Sequence, residues 1–386
     1  MGNILKKQNV YVIGIGMHRY QFPTQTPYVA LGLEAVRQAL KDAGIEWPQV
    51  ESAVVGTAAL GMAAGRVMLR HLGSTGLEVE QVENASASGS TAFRLAALQV
   101  ACEEHDIVMA IGVDKFGDGR RAAMKDGLMS LSPTTQIPLI KFALLARRWM
   151  REYGLSVEAL AQVAVKNHCN AALNPFAQFQ KPRTLEQVLA SPKIAGDLTA
   201  LQCTPRGEGA AAVVLASERA VKKLGLDKRR LVRVLSSVSV SEQLRQGDDG
   251  IHSMPAMVEM VGKSARLALE RASIAPSELD LIELHDAFSV EELIYSEAIG
   301  VCETGGGADY LLSGRSSIGG KCAINASGGL IGMGHPLGPT GIGQIAEITR
   351  QIRGEAQARQ HPGARTGLAH MVGLGSVAVA HVLQAA

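Results

Sequence analysis

Three short segments of the chain carry side chains that could do chemistry. In the first, residues 82–93, the sequence VENASASGSTAF places Ser86 where a predicted strand gives way to a predicted helix. The first amides of a helix lack intrahelical partners, so a nucleophile at this turn gains from the helix dipole and from donors to an oxyanion. The alternative interpretation is a serine-rich N-cap, because serine is a favoured capping residue.

The second segment places a histidine beside an aspartate. His285 and Asp286 follow the apolar residues Leu281, Ile282 and Leu284, which are typical of a buried strand. The carboxyl end of a strand is where α/β proteins build their sites, so this pair is a candidate for acid–base work. A purely structural His–Asp pair is the alternative.

The third segment, residues 325–341, reads NASGGLIGMGHPLGPTG and contains six glycines. Glycine permits close backbone approach, and the proline after His335 biases that histidine towards an extended conformation. The spacing is not that of a Walker A loop, because no Gly-Lys-Ser/Thr follows. It is not a dinucleotide fingerprint either, since no βαβ unit with an acidic partner accompanies it.

A layered α/β scaffold is expected to position these segments. Apolar runs typical of strands alternate with helical patterns along the whole chain, which favours helices packed on sheets. Strands are predicted at residues 9–16, 51–56 and 105–113, and helices at residues 29–43 and 91–102.

The chain also repeats itself. Residues 35–57 and 265–287 both show a helix, a proline-containing turn and an apolar strand, and Asn84-Ala-Ser is echoed by Asn325-Ala-Ser. Similar order at similar spacing predicts two homologous halves, residues 1–245 and 246–386. Chance similarity of two αβ units is the alternative. Residues 115–205 of the first half have no counterpart and are interpreted as an inserted loop region that shapes the substrate site.

Composition excludes several classes of function. The 386 residues carry a net charge of only +2 and 4% aromatic side chains, which argues against a nucleic-acid-binding protein. No apolar run approaches the roughly 18 residues of a membrane span. The five cysteines show no CxxC or metal-ligand spacing. Without a signal peptide, they predict reduced thiols and a cytoplasmic location, with no bound metal.

Taken together, the three segments resemble a known family. The block GHPLGPTG around His335 is similar to the thiolase GHPxGxTG signature, and His285-Asp-Ala-Phe is similar to the HDCF/HDAF block of lipid-transfer-protein-like (SCP-2) thiolases. Asn84-Ala-Ser-Ala-Ser-Gly resembles the NxCASG nucleophile block. Residues 367–376 resemble the C-terminal glycine strand of that branch. The resemblance implies the duplicated five-layer αβαβα thiolase fold and an acyl-CoA substrate.

The chain departs from the family where the chemistry is decided. Ser86 stands where thiolases have a nucleophilic cysteine, and the two alternative positions of a second catalytic cysteine hold Ala287 and Met371. A serine hydroxyl is not appreciably ionised near neutral pH without an adjacent base, whereas a thiol is within reach of ionisation. Thiolysis through an acyl-enzyme is therefore disfavoured, although Ser86 also fits an engineered Cys→Ser change.

The electrostatic apparatus of the family is intact. By resemblance, His335 and His285 hold the thioester oxygen or its water, and backbone amides at Ser86 and Gly373 form a second oxyanion hole. Each good donor supplies roughly 3 kcal/mol towards an enolate-like transition state. This set suits the cysteine-free relatives that split a β-hydroxyacyl-CoA by a retro-aldol reaction.

Retro-aldol cleavage also needs a base for the β-hydroxyl group. Tyr295, which follows His285 on a predicted helix, is the preferred candidate, although an amphipathic core tyrosine would show the same spacing. Asp286 and His18 are further candidates, and His18 is more simply explained as a structural residue after the first strand.

Three functions remain open. The first is a lyase for bulky β-hydroxyacyl-CoA substrates. The second is a thiolase or acyltransferase for a bulky or aromatic 3-oxoacyl-CoA, and the third a silent acyl-CoA or lipid carrier. The resemblance implies coenzyme A as part of substrate and product, no permanently bound cofactor, and a homodimer core formed through the N-terminal half. A small OB-fold subunit of the DUF35 type is a possible partner, and any zinc would come from it.

Overall fold

The computed structural model describes residues 3–115, 137–243, 254–374 and 376–386 as a layered α/β protein. No helix within these ranges is long and apolar enough to cross a membrane.

The strands are numbered in chain order. They are β1 Val10–Gln21, β2 Ser52–Gly56, β3 Glu78–Val82, β4 Ile107–Asp114, β5 Lys193–Ala195, β6 Leu198–Thr199, β7 Glu208–Ser217, β8 Val232–Ser241, β9 Leu281–Glu283, β10 Ala323–Ile324, β11 Thr366–Gly373 and β12 Val377–Ala385.

The α-helices are numbered in the same way. They are α1 Tyr28–Ala43, α2 Ala64–Leu69, α3 Ser88–Ala101, α4 Ile137–Tyr153, α5 Val157–Ala172, α6 Leu185–Leu189, α7 Glu218–Leu224, α8 Met254–Ala272, α9 Ser289–Ile299, α10 Gly307–Leu312, α11 Gly329–Met333 and α12 Leu337–Arg353.

The strand order of the large sheet is symmetric about its centre. Within the described residues it runs β10-β9-β11-β12-β8-β1-β7-β4-β2-β3, and β8 and β1 meet in the middle as a short antiparallel pair. Strands β5 and β6 form a separate ribbon, so each half contributes five strands to the large sheet: β1, β2, β3, β4 and β7 in the first half, and β8 to β12 in the second. Numbered one to five within its half, each set runs from the sheet edge to the centre in the same order: third, second, fourth, fifth, first. A duplicated unit would produce this order. The predicted boundary at residues 245/246 lies outside the described residues and stays a prediction.

Helices divide the sheet into layers. Helices α3 and α12 pack against each other between the two halves of the sheet, while α1 covers the outer face of one half and α8 covers that of the other. Strands β4 and β7 are buried along their whole length. A strand that is buried on both faces needs apolar residues at consecutive positions, and the Ala- and Val-rich sequence of β7 shows this pattern.

Small residues bring the two central helices close together. A Cβ at Gly89 of α3 would collide with the carbonyl oxygen of Gly338 on α12, and one at Gly341 would collide with Ser90. The amino ends of α3 and α12 therefore meet at the centre of the molecule. This contact brings together two segments that the sequence singled out as chemical, the turn at Ser86 and the loop at His335.

The segment interpreted as an inserted loop region, residues 115–205, contains helices where it is described. Its helix α5 is capped by the hydroxyl of Ser156, which accepts the amide of Ala159, and α6 begins with a capping box formed by Thr184 and Gln187. Part of this prediction, residues 116–136, lies outside the described residues.

Candidate active site

Ser86 lies on a tight turn that ends in helix α3. Ala85, just before it, has a φ of 49°, which is uncommon for a residue with a side chain. The turn is held by Ser88, whose hydroxyl accepts the amide of Asn84 at 2.9 Å and donates to the carbonyl of Ala85 at 2.7 Å. Ser88 thus braces the turn, and helix α3 begins after Ala87 without a side-chain cap, so the serine-rich segment does not serve as an N-cap.

The hydroxyl of Ser86 faces His335. The distance from Nε2 of His335 to Oγ of Ser86 is 3.1 Å, and both residues are buried. On the other side of the ring, Nδ1 lies 3.0 Å from the hydroxyl of Thr340, which itself donates to the carbonyl of Pro336. That hydroxyl can then only accept from Nδ1–H, so the neutral ring offers its Nε2 lone pair to Ser86.

His285 stands at a right angle to His335. Their ring centroids are 5.4 Å apart and the ring planes make an angle of 88°. Nδ1 of His285 lies 2.9 Å from a carboxylate oxygen of Glu291, whose second oxygen accepts the amide of Phe288. The carboxylate can only accept, so Nδ1 of His285 carries the proton, the ring is held in place, and Nε2 is left to face the site. The geometry therefore equips His285 as a proton acceptor and donor.

Asp286, a candidate base, has both oxygens engaged. One accepts the amide of Leu330 at the start of α11, and the other accepts the side-chain amide of Asn167 at 2.8 Å. Burial and the nearby carboxylate of Glu292 raise the pKa of Asp286 well above its usual range. Asp286 therefore anchors the loop before His335, through Leu330, and helix α5, through Asn167.

The other two candidate bases are Tyr295 and His18. Tyr295 is fully buried in the hydrophobic core around helix α9, and burial together with the Glu291 carboxylate raises its pKa well above 10. Its role as the base stays a prediction. His18 lies on β1, where Nε2 is 3.8 Å from the carboxylate of Glu34 on α1, at the outer face of the sheet. The structure does not bring His18 to the two histidines.

An apolar wall lies beside Ser86. Ala287 and Met371, the two positions where a second catalytic cysteine was considered, are buried against Ala87 and Leu330 in one hydrophobic cluster. Gly373, at the end of β11, lies against the turn, since a Cβ there would collide with the carbonyl oxygen of Asn84. A side chain at 373 would thus displace the Ser86 turn. The participation of the amides of Ser86 and Gly373 in an oxyanion hole stays a prediction.

A carboxylate occupies the corresponding end of the other half of the sheet. Asp114, at the end of β4, accepts hydrogen bonds from the hydroxyl of Thr57, from the amide of Ala59 and, at 2.6 Å, from the amide of Gly338 at the start of α12. Burial raises the pKa of Asp114, although these hydrogen bonds act in the opposite direction. Asp114 therefore fixes the helix that follows His335.

Metal-ligating chemistry is not evident at this site. Among the described residues, the side chains close enough together to hold an ion are Glu78, Glu104 and His105, which lie at the β3 edge of the sheet. That the protein binds no metal of its own stays a prediction.

Sequence reasoning missed Glu291, Thr340 and Asp114. Glu291 lies six residues after His285, with nothing in its spacing to single it out from the adjacent Glu292. Thr340 belongs to the GHPLGPTG block, and its position five residues after His335 in that signature was the one indication that the two side chains interact. Asp114 directly follows the strand predicted at residues 105–113, and the carboxyl ends of strands are where α/β proteins place functional polar residues.

The strand order, the central helix pair and the paired histidines around Ser86 define a protein of the thiolase fold. Residues 15–188 match the thiolase N-terminal domain, and residues 247–385 match the thiolase C-terminal domain-like family. The chain belongs to the thiolase superfamily, in its SCP-2-like branch. The predicted family and α/β thiolase fold are thereby confirmed.

Known proteins resemble the chain over nearly its full length. Sterol carrier protein 2 of Gallus gallus is 37% identical over 395 residues, covering 97% of this chain and 71% of that protein. The benzoylsuccinyl-CoA thiolase subunit BbsB of Thauera aromatica is 34% identical over 382 residues, covering 96% of each. The solved structure of an Ltp2-ChsH2(DUF35) aldolase superposes with a TM-score of 0.83 at 25% identity, covering 98% of each chain.

Proposed function

We propose that the protein cleaves a carbon–carbon bond of a bulky β-hydroxyacyl-CoA by a retro-aldol reaction. The observation that supports this most directly is the contact between Ser86 and His335. The imidazole is in place, but it faces a hydroxyl oxygen where a thiolase would have a sulfur atom. Because a hydroxyl is far harder to ionise than a thiol, the site favours chemistry that needs no acyl-enzyme.

No cysteine compensates at the positions where the family carries a second one. Ala287 and Met371 belong to the apolar wall beside Ser86. Burial raises the pKa of the thiols of Cys203, Cys302 and Cys322 to about 12, which keeps them protonated near neutral pH. The described thiols of Cys102 and Cys169 are exposed. This arrangement supports a reaction without a thiolate.

In the proposed reaction, donors hold the thioester oxygen while the bond breaks. For this reaction His335 must gain a second proton, so that Nε2 donates to the thioester oxygen and no longer accepts from Ser86, and the amides at Ser86 and Gly373 form the second hole. Preorganised donors of this kind are worth roughly 3 kcal/mol each when charge develops on the oxygen. They would lower the barrier to the CoA enolate, which is the leaving fragment.

His285 carries the proton. Its Nε2 atom takes the proton of the β-hydroxyl group, with the imidazolium stabilised by Glu291 on the other side of the ring. The C2–C3 bond then breaks, and its electron pair passes to C2 and the thioester oxygen as an enolate. The C3 fragment leaves as an aldehyde or ketone, and C2 takes the proton back from His285. No oxidant and no permanently bound cofactor is needed, and coenzyme A stays on the product.

The relatives support an acyl-CoA substrate and a partner subunit. Of the three proteins compared above, one is named for a CoA thioester and another is named with a DUF35 protein. We extend both to this chain: a bulky acyl-CoA as substrate, and a small DUF35-type OB-fold subunit that brings its own zinc. A homodimer core through the N-terminal half and a cytoplasmic location belong to the same proposal.

A second candidate function is thiolysis or acyl transfer on a 3-oxoacyl-CoA. The observation that favours it is the tautomer of His335, which accepts the hydroxyl proton of Ser86 as a general base would. In that reaction Oγ of Ser86 attacks C3 while His335 takes its proton, and the C2–C3 bond breaks so that the CoA enolate leaves and takes that proton at C2. The thiol of free CoA then attacks the acyl-serine, which gives the shortened acyl-CoA and returns the thiol proton to Oγ of Ser86. A silent carrier of acyl-CoA or lipid is less well supported, because it has no need of two buried histidines with fixed partners.

The deciding experiment compares the parent protein with Ser86→Cys on two substrates. One assay supplies a 3-oxoacyl-CoA with free CoA, and the other a β-hydroxyacyl-CoA alone. Cleavage of the hydroxy substrate by the parent, with no thiolysis gained by Ser86→Cys, would support the retro-aldol reaction. An inert parent and a thiolytic Ser86→Cys variant would replace it by the second function. Binding without turnover in either protein would indicate a carrier.

A further inference from the structure

One face of helix α5 lies along the loop that leads to His335. Lys166 and Asn170 lie one turn apart on α5, and Asn174 follows two residues after the helix ends; all three side chains are buried. Their side-chain nitrogens donate to consecutive parts of the loop, to the carbonyl oxygens of Ile324 at 2.6 Å, Asn325 at 3.0 Å and Ser327 at 2.9 Å. We call these three residues the α5 clamp.

The contact continues beyond the helix. The amide of Gln178 donates to the carbonyl of Met333 at 2.8 Å, and the amide of Phe179 donates to that of Gly332 at 3.2 Å. Residues 166–179 thus lie beside residues 324–333 along the whole length of the loop. A Cβ at Gly328 or Gly332 would collide with α5, which shows how closely the two segments pack.

The loop needs these donors because it has little regular structure of its own. Strand β10 has only two residues and helix α11 only five, so the sheet and the helices satisfy few of its carbonyl groups. A buried carbonyl without a donor is costly. Side chains from the inserted segment supply the donors, and the position of the loop therefore depends on α5.

The same helix also reaches the second catalytic histidine. Asn167 donates to the carboxylate of Asp286, next to His285, at 2.8 Å and to that of Glu292 at 2.9 Å. The ammonium group of Lys166 lies 3.0 Å from the other oxygen of Glu292. Through these contacts α5 touches both segments that carry a histidine.

We infer that Lys166, Asn170 and Asn174 are positioning residues that hold Nε2 of His335 within reach of residue 86. The inference deepens the proposed function, since it assigns the inserted segment a role in the geometry of the site. It does not depend on which acyl-CoA is the substrate. A positional readout can therefore test it without measuring turnover.

The test uses Ser86→Cys as a reporter, because a thiol beside an imidazole ionises more readily than an ordinary thiol. The rate of alkylation by iodoacetamide at pH 7 is followed by mass spectrometry of the peptide that contains residue 86. Adding His335→Gln should slow alkylation about tenfold, which calibrates the contact. Adding Asn170→Leu, which keeps the branching and the number of side-chain heavy atoms but removes the donor, should slow alkylation by a similar factor.

The matched control is His168→Gln in the same reporter protein. His168 is a buried polar residue of the same helix, but its Nε2 faces the carbonyl of Leu201 and not the loop. Its alkylation rate should stay within about twofold of the reporter. Lys166→Arg should preserve most of the rate, since the guanidinium can still donate.

Two results would overturn the inference. One is an Asn170→Leu protein that alkylates at the reporter rate while His335→Gln is slow, because the clamp would then be dispensable for the contact. The other is no effect of His335→Gln, because the contact itself would be absent. If Asn170→Leu does not fold, the double change Lys166→Met and Glu292→Gln, which removes the buried pair together, is held to the same criterion.

Discussion

His335 and Ser86 are 249 residues apart in the chain, yet Nε2 of the first lies 3.1 Å from Oγ of the second. Each belongs to a different half of the protein, and the meeting of α3 and α12 brings them together. Because Thr340 fixes the tautomer, the neutral imidazole accepts from the serine. Substitution of Ser86 tests whether this hydroxyl attacks the substrate as a nucleophile or only lines the site.

Ser86→Ala should leave turnover of a β-hydroxyacyl-CoA within about threefold of the parent, because the retro-aldol reaction forms no bond to Ser86. An acyl-serine route would instead lose roughly a thousandfold or more. The measurement is kcat from the release of the shortened acyl-CoA. Ser88→Ala is the matched control, because Ser88 braces the same turn by two hydrogen bonds. It should lower the free energy of unfolding by about 1 kcal/mol and leave kcat nearly unchanged.

His335→Ala should reduce kcat by about 10²–10³ while the circular dichroism spectrum stays that of the parent, because a donor to the developing enolate oxygen is lost. Near-normal turnover would remove His335 from the mechanism. Thr340→Val is a milder change, since it leaves the ring in place and removes the acceptor of Nδ1–H together with the hydrogen bond to the carbonyl of Pro336. A loss of about tenfold is expected there, with KM nearly constant.

Glu291→Gln should lower kcat by about 10- to 100-fold, because the buried carboxylate that accepts from Nδ1 of His285 and orients the ring becomes a neutral amide of the same size. Tyr295→Phe separates the two candidate bases. If His285 takes the hydroxyl proton, the Tyr295→Phe enzyme should stay within about threefold of the parent. A collapse of kcat in that variant alone would restore Tyr295 as the base.

His370 makes stability depend on pH. It is fully buried on β11, and burial lowers its pKa from 6.5 to about 3. Above pH 6.5 the ring is neutral in both folded and unfolded chains, but below it only the unfolded chain takes up the proton, so stability is lost as pH falls. Relative to His370→Gln, the parent should therefore lose about 2 kcal/mol of unfolding free energy between pH 6.5 and 5. Urea unfolding at both pH values measures the difference, and an unchanged gap would contradict it.

Much of the scaffold was predictable because its elements carry local signals. The helix predicted at residues 29–43 is observed as Tyr28–Ala43, and it ends at Gly44 in the left-handed conformation. The strand predicted at 105–113 is observed as Ile107–Asp114. The amino end of α3 was placed three residues late, at Thr91, because Ser88 and Ser90 resemble turn residues when the packing of Gly89 against Gly338 is unknown.

The partners of the catalytic groups were less predictable, since most of them come from distant parts of the chain. The family signature pointed to His335 and His285. Nothing in the sequence pairs Asp114 with Gly338 or Lys166 with Ile324, because such contacts arise only when the layers stack. For the same reason, a segment interpreted as an inserted loop supplies a helix that braces the site.

The symmetry of the sheet leaves one difference that matters for specificity. Asp114 and Gly373 end the equivalent strands β4 and β11, and each lies at the amino end of a central helix, α12 or α3. At α12 the side chain of Asp114 places a carboxyl oxygen against the first amides of the helix. At α3 the equivalent residue is Gly373, which has no side chain to place beside Ser86. Asp114 thus occupies one of two equivalent positions in the fold permanently, and under the proposed function the other position receives an oxygen atom of the substrate.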